Sequence, residues 1–217
     1  MSLTIKLAGE EVALLPERGL FWVRESMLLI ADWHVGKAAS LRAAGIGVPE
    51  GDLAEEFGRL DTMIEKTGAA ELVILGDFAH ARAGLNPRLL GMIGDWIGRS
   101  GVRASLMSGN HDRSAGVDRA CLDGLDLLGD GLVQEPFVLR HEPEKSEGGY
   151  VLAGHIHPAV RLGEGKRGGL RAPCFWTGEH CAVLPAFGGF TSGHRIEPGD
   201  GDRVFAIGGD EVIEVPR

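Results

Sequence analysis

Four apolar segments of the chain have the pattern of a buried strand, and each is followed at once, or within two residues, by polar residues. The pairs are 27–31 with Asp32-Trp33-His34, 71–75 with Gly76-Asp77, 102–107 with Gly109-Asn110-His111-Asp112, and 150–153 with Gly154-His155-Ile156-His157. Because the carboxyl ends of neighbouring strands in an α/β sheet converge on one crevice, these groups are expected to meet at one rim.

The side chains of this rim are oxygen and imidazole donors, with no thiolate among them. Seven are candidate metal ligands: Asp32, His34, Asp77, Asn110, His141, His155 and His157. His141 is included because it lies at the end of another apolar segment, 132–139. One divalent ion rarely uses seven such groups, whereas two ions that share a bridging carboxylate would. The donor types favour Mn, Fe or Zn, so we expect two divalent ions, with Mn²⁺ as the first choice.

Each motif taken alone also has a purely structural interpretation. An Asp-x-His pair is common on protein surfaces, and Gly109-Asn110-His111-Asp112 is a good turn sequence because Asn and Asp favour turns. Four such motifs in order, each after an apolar segment, are hard to obtain by chance. The motifs as a set therefore favour a metal site.

The order of predicted elements indicates a mixed α/β fold with two sheets and helices packed outside them. Strands are predicted at 3–7, 11–15, 20–24, 27–31, 71–75, 102–107, 132–139, 150–153, 169–176, 180–185, 204–207 and 211–215, and helices at 50–66, 87–99 and 117–123. Strands alternate with helices in the first half, whereas strands follow strands elsewhere. The length of 217 residues suits one domain, so we expect residues 1–217 to form a single domain.

Charge and composition exclude several classes of protein. A formal net charge of −9 argues against a histone-like binder of bulk nucleic acid, so a phosphate-rich ligand would need metal ions or a local basic patch. The three cysteines lack the spacing of a disulfide framework or a thiolate zinc site. No signal peptide or apolar stretch of membrane-spanning length is visible, so we expect a cytoplasmic protein without a membrane partner.

The segment 161–171, which we call the basic hairpin, contains the densest cluster of positive charge and follows His157 closely. It could contact the phosphates of a nucleic acid, although an ordinary solvated loop is the alternative. The candidate substrate-binding residues are Arg161, Lys166, Arg167 and Arg171, with Arg113 as a further candidate beside the 109–112 motif.

The motifs at 32–34, 76–77, 109–112, 141 and 154–157 together resemble those of the calcineurin-like metallophosphoesterases. The resemblance implies a four-layer αββα fold, a β-sandwich of two sheets flanked by helices. It implies one ion held by Asp32, His34, Asp77 and His157, and a second held by Asp77, Asn110, His141 and His155. It also implies that His111 is a catalytic acid or phosphate contact, and that Asp112 orients it. The alternative for Asp112 is a cap that opens a helix over 113–123, because Asp is a favoured capping residue.

Further motifs resemble one bacterial branch, the ligase-associated DNA-repair phosphoesterases. They are ADWHVGK (31–37), GDFAHA (76–81), HEP (141–143), GHIHPAV (154–160), APCFW (172–176) and LPAFGGFTSG (184–193). This likeness implies a phosphodiesterase or nuclease that acts on DNA during repair, with single-stranded DNA as the expected substrate and a DNA ligase and a helicase as candidate partners.

Two other functions stay open at this stage. The same ions could serve a phosphatase or nucleotide phosphohydrolase that acts on small phosphate esters. A non-catalytic scaffold on the same fold would be expected to lose metal ligands or His111, and all of these residues are present.

Overall fold

The computed structural model describes residues 1–49, 53–118, 123–163, 169–191 and 193–216. Its strands are β1 (Leu3–Leu7), β2 (Glu10–Leu14), β3 (Leu20–Trp22), β4 (Met27–Ile30), β5 (Glu71–Ile74), β6 (Arg103–Leu106), β7 (Leu125–Leu127), β8 (Gly131–Gln134), β9 (Phe137–Arg140), β10 (Tyr150–Ala153), β11 (Pro158–Leu162), β12 (Leu170–Thr177), β13 (Cys181–Val183), β14 (His194–Arg195), β15 (Arg203–Gly208) and β16 (Glu211–Glu214). Its helices are α1 (Lys37–Ala43), α2 (Leu53–Thr67), α3 (Pro87–Ser100) and α4 (Asn110–Ala115), with one 3₁₀ turn at Arg82–Gly84.

The first sheet contains β1 to β7 side by side in chain order. Strands β1 to β4 form an antiparallel meander, because short turns join them. Strands β4 to β7 are parallel, and helices lie in the connections between them. Parallel pairing gives β4, β5 and β6 a common direction, so the loops after their carboxyl ends emerge at the same edge of the sheet.

The second sheet contains the other nine strands and packs face to face with the first. Its order is β14-β11-β12-β13-β10-β9-β8, with β15 and β16 paired beside β12. Leu29 of the first sheet and Phe175 of the second belong to one buried cluster between the sheets. In the same cluster the rings of Trp22 and Phe137 meet edge to face at 4.8 Å. The predicted two-sheet α/β sandwich is therefore confirmed.

The helices cover one side of this sandwich. Leu28 and Ile30 alternate with Leu29 along β4, so they face away from the second sheet and pack with α2 and α3. There the rings of Phe57 and Trp96 stack with centroids 5.5 Å apart. The smaller apolar clusters of the second sheet, which include Val151 and Ile196, contain no helical residue of the described ranges.

Most of the short helix predicted at 117–123 falls on residues 119–122, which lie outside the described residues, and Val117, Asp118 and Asp123 are not helical. Helix α4 instead begins at Asn110, inside the 109–112 motif, and ends before Gly116, whose φ of 68° is left-handed. The Asp112 carboxylate accepts the Gly109 amide at 3.0 Å, which caps the first turn. The motif that looked like a turn is therefore a helix start. No helix of the described ranges is long and apolar enough to cross a bilayer.

Candidate metal centre

The candidate ligands lie on the loops that follow β4, β5, β9 and β10 and at the start of α4 after β6. Five of them have a left-handed backbone: Asp32 (φ 55°), His34 (53°), Asp77 (50°), His155 (71°) and His157 (53°). Residues with a Cβ rarely adopt this region, and such strain persists only where the surrounding structure enforces it. Five of the eight non-glycine residues with this backbone in the described ranges are thus donors expected from the sequence.

Backbone hydrogen bonds from distant loops fix both carboxylates. The amide of His155 donates to the two carboxylate oxygens of Asp32 at 3.0 and 2.9 Å. The amide of His111 donates to Oδ1 of Asp77 at 2.9 Å, and the amide of His34 donates to the Asp77 carbonyl at 2.9 Å. The loops after different strands are therefore tied into one rim.

Two glycines of the motifs allow the loops to approach each other closely. At Gly76, whose φ is 79°, a Cβ would overlap the imidazole of His141. At Gly154 a Cβ would lie 2.7 Å from Oδ2 of Asp32, well inside van der Waals contact. The glycines before Asp77 and His155 thus leave room for side chains from other loops.

A first donor group consists of Asp32, His34 and His157. The Nε2 atoms of the two histidines face each other at 3.2 Å, and Nε2 of His157 lies 3.4 Å from Oδ1 of Asp32. Asp32 and His34 are buried. Burial lowers the pKa of His34 to about 3, since a charged ring is poorly solvated there, so its ring is neutral and can ligate.

A second donor group consists of Asp77, His141 and His155, with Asn110 beside it. Nε2 of His141 lies 3.0 Å from Nδ1 of His155, 3.1 Å from Oδ1 of Asn110 and 3.4 Å from Oδ1 of Asp77. The Leu75 carbonyl accepts from Nδ1 of His141 at 2.9 Å, which leaves Nε2 to face the group.

The electrostatics of this second group differ from those of the first. Burial disfavours a charge on His141, but the hydrogen bond and charge of Asp77 outweigh it and raise the pKa of His141. Burial likewise works against the Asp77 carboxylate, yet the contacts with His141 lower its pKa on balance. Asp77 also contributes Oδ2 at 3.9 Å from Nε2 of His34, so this carboxylate lies between the two groups.

The donor set fits divalent cations. Ligand atoms about 2.1 Å from one ion are separated by about 3.0–3.4 Å from each other, which is the spacing seen within each group. The buried Asp32 and Asp77 carry negative charge that a cation would offset. These features support binding of divalent metal ions at this rim.

Comparison with known proteins decides the family. The chain is similar to the crystal structure of the Pseudomonas putida nuclease MPE, with 36% sequence identity and a TM-score of 0.84; the match covers 99% of this chain and 100% of that one. The chain belongs to the metallophosphoesterase family. It is therefore a metal-dependent hydrolase of phosphate esters.

A second solved structure, the phosphoesterase YfcE from E. coli, has 14% identity and a TM-score of 0.42, with 87% of this chain and 97% of that chain covered. That likeness is too weak to support an argument. No protein-family model and no curated protein matches the sequence of this metallophosphoesterase.

His111 of this metallophosphoesterase lies at the rim beside the first donor group. Its ring centroid is 4.9 Å from that of His34, and its Nδ1 lies 2.8 Å from the carbonyl oxygen of His80. Because a carbonyl only accepts, Nδ1 carries the hydrogen and Nε2 is the other ring atom.

The side chain of Asp112, which the sequence expected to orient His111, makes its hydrogen bonds elsewhere. The carboxylate of Asp112 is buried and is occupied by backbone amides, those of Ala79 (2.8 Å), Gly109 (3.0 Å) and Phe78 (3.3 Å). Burial raises its pKa, and these amide bonds oppose that rise. Asp112 thus joins the loop after β5 to the start of α4, while the His80 carbonyl orients His111.

The five candidate substrate-binding residues lie in different surroundings. Arg113 forms ion pairs with Asp130 at 3.4 Å and Glu142 at 3.8 Å, on the side of the second donor group. Arg161 and Arg171 are exposed on β11 and β12. Lys166 and Arg167 lie outside the described residues.

Sequence reasoning left the role of His80 open, and the structure places its ring against the site. The His80 ring stacks on His111 with centroids 5.1 Å apart and meets the His34 ring edge to face at 5.4 Å. The signal available in the sequence was its position three residues after Asp77 on the same loop.

Proposed function

We propose that this metallophosphoesterase is a two-cation phosphodiesterase that cleaves single-stranded DNA during repair. The observation that carries the proposal is the pair of Asp/His donor groups with the Asp77 carboxylate between them. Similarity to a nuclease over the whole chain supports a nucleic-acid substrate.

In this proposal the chain supplies two sets of ligands that share Asp77. One set is Asp32, His34, Asp77 and His157, and the other is Asp77, Asn110, His141 and His155. When bound, two divalent cations supply a water of lowered pKa and neutralise charge on the phosphoryl oxygens. Mn²⁺ is the proposed ion, with Fe and Zn as alternatives, since all three accept mixed oxygen and imidazole donors.

Backbone groups of the chain position the metal-binding carboxylates, and one histidine side chain moves a proton. Amides of His155 and His111 hold the Asp32 and Asp77 carboxylates in place before any substrate arrives. The His80 carbonyl holds the hydrogen on Nδ1 of His111. In the doubly protonated ring, Nε2 would give its proton to the leaving oxygen, and the neutral ring would keep the hydrogen on Nδ1. His111 is thus the proposed catalytic acid, and Asp112 a residue that positions the loop.

An extended substrate suits the accessibility of this rim. His155 is exposed, and Asn110 and His111 are partly exposed, so a polymer can pass over the donors. Arg161 and Arg171, with Lys166, Arg167 and Arg113, are the proposed phosphate contacts outside the centre. We further propose that residues 1–217 act as one domain in the cytoplasm, with a DNA ligase and a helicase as partners.

Hydrolysis of three substrates by the purified protein, with Mn²⁺ or with a chelator, tests this function. We expect cation-dependent cleavage of a single-stranded oligonucleotide and of bis(p-nitrophenyl) phosphate, and slower hydrolysis of p-nitrophenyl phosphate. Activity on the monoester alone would indicate a small-molecule phosphatase. Bound cations without hydrolysis of any of the three would indicate a scaffold.

A further inference from the structure

The edge of the second sheet next to His157 carries three arginines on one face. Antiparallel pairing places Arg161 of β11 directly opposite Arg171 of β12. Parallel pairing places Arg195 of β14 opposite Ala159, two residues before Arg161. Because paired residues share a face and residues two apart share a face, all three arginines lie on the same side. Like charges directly opposite each other destabilise a sheet, so folding alone does not favour this arrangement.

These arginines also lack acidic partners within the described ranges. All three are exposed, and no carboxylate of those ranges lies within ion-pair distance of them. Arg103, by contrast, is exposed but pairs with Glu71 at 3.0 Å. In a chain of net charge −9, an unneutralised cluster of three arginines indicates a surface for an anionic ligand.

Two adjoining depressions connect this face with the metal centre. The first has a volume of about 350 Å³ and is lined by His157, Arg18 and Arg171. The second has a volume of about 390 Å³ and is lined by Arg161, Arg171 and Arg195. Arg171 lines both, so the two depressions adjoin, and the first of them borders a candidate metal ligand. No described residue that lines either depression is acidic.

Arg18 reaches this groove from the turn before β3, where its backbone is left-handed with φ 72°. Its Nη1 donates to the carbonyls of Ala186 at 3.2 Å and Gly188 at 3.5 Å. The Gly188 amide in turn donates to the Asp32 carbonyl at 3.2 Å. Burial lowers the pKa of Arg18, but a guanidinium keeps its charge in proteins. The cation is thus held in place, anchored to the segment that contacts the first donor group.

We propose that Arg18, Arg161, Arg171 and Arg195 form a basic groove that binds the phosphate backbone of the single-stranded substrate on the His157 side of the metal centre. Arg18 and Arg195 are thereby assigned as phosphate-binding residues. The inference rests on the proposed function, because it requires a polymeric phosphodiester. The planar guanidinium fork suits the oxygens of a phosphate. The groove adds phosphate contacts beyond the scissile bond, which a small ester cannot reach.

The test compares two substrates in the metal-loaded enzyme. We measure kcat/KM for a single-stranded oligonucleotide and for bis(p-nitrophenyl) phosphate over a range of salt concentrations. The double variant Arg161→Ala/Arg195→Ala should lower the ratio of the two kcat/KM values about tenfold, and flatten the slope of log KM against log salt for the oligonucleotide by about 0.7 for each lost contact.

Two matched variants separate the groove from charge and folding effects. Arg103→Ala removes an exposed arginine at the start of β6, the end of that strand away from the rim, and should leave the ratio unchanged. Arg161→Lys/Arg195→Lys keeps the positive charge and should restore most of the ratio.

The outcomes distinguish this inference from the proposed function. If the native enzyme hydrolyses the small diester but not the oligonucleotide, the DNA substrate and the groove are both overturned. If it cleaves the oligonucleotide and the alanine double variant keeps the native ratio and salt slope, only the groove is overturned. An equal loss on both substrates, with reduced metal content, would assign the arginines to structural support and would also overturn the groove.

Discussion

The two donor groups of the metal centre use similar side chains in different surroundings. In the first group, Asp32 and His34 are buried, and the His157 ring is 17% exposed. In the second group, Asp77 and His141 are equally buried, but His155 is exposed to solvent. The comparison indicates that a cation is more enclosed in the first group and more accessible to solvent and substrate in the second.

The protonation of the histidines sharpens this difference. The pKa of His34 is lowered to about 3, so a cation can bind this histidine without competing with a second proton on its ring. The pKa of His141 is raised by Asp77, so a cation in the second group competes with a proton. Asp77 takes part in both groups, through Oδ2 towards His34 and Oδ1 towards His141.

The largest expected effect comes from removing the shared carboxylate. Asp77→Ala should abolish binding of both cations and reduce hydrolysis of bis(p-nitrophenyl) phosphate by about 10³-fold or more, since electrostatic stabilisation of the phosphoryl group is lost. Metal analysis of the purified variant measures the cation content. If the variant retained two ions, Asp77 would not be the ligand that the two ions share.

The next effect separates the two groups by exchanging one histidine for alanine in each. His34→Ala should lose activity that added Mn²⁺ does not restore, because the enclosed group loses a buried donor. His155→Ala should regain activity as the Mn²⁺ concentration is raised, because the second group keeps Asp77, His141 and Asn110. Titration of activity with Mn²⁺ measures this difference. If Mn²⁺ restored activity only to the His34 variant, the second group would be the more enclosed one.

A smaller loss is expected at His111, which lies beside the first group without belonging to either proposed ligand set. His111→Ala should keep both cations and lower the rate about 10²–10⁴-fold for esters with poor leaving groups. Esters with good leaving groups need less protonation and should lose less. An equal loss on both types of ester would mean that His111 binds phosphate instead of donating the proton.

Replacement of Asp112 should have the smallest effect on the rate of hydrolysis and a clear effect on the stability of the fold. Asp112→Ala leaves three buried amides without their acceptor and should lower the free energy of unfolding by about 2–4 kcal/mol, measured by urea denaturation. Asp130→Ala serves as control, because its carboxylate is 87% exposed and its ion pair should contribute less than about 1 kcal/mol. If the Asp112 variant were as stable as the native protein but much slower, Asp112 would have a catalytic role.

The sequence allowed the rim to be predicted because each donor follows an apolar strand. Asp32, Asp77 and His155 are two or three residues beyond β4, β5 and β10. Pairing of β4 with β5 brings the first two loops together, and packing of the second sheet on the first brings the His155 loop to them. The position of α4 was missed because Asn110 and Asp112 also suit a turn, and only the capping contact with Gly109 distinguishes a helix start.

Residues that meet only through long-range packing could not be found from the sequence. Arg18 and Arg195 are far apart in the chain, and β14 is a strand of two residues without a recognisable pattern. The orienting partner of His111 is a backbone carbonyl, which any residue at position 80 could supply. Asp112 follows His111 directly, yet its side chain accepts from other loops.

Anomalous scattering from crystals grown with Mn²⁺ tests the central claim most directly. The account predicts two manganese peaks about 3.5–4 Å apart, with Asp77 between them. One peak should lie among Asp32, His34 and His157, and the other among Asp77, His141 and His155. A single peak would contradict it. So would a peak among His34, His80 and His111, whose ring nitrogens also lie close enough together to hold an ion.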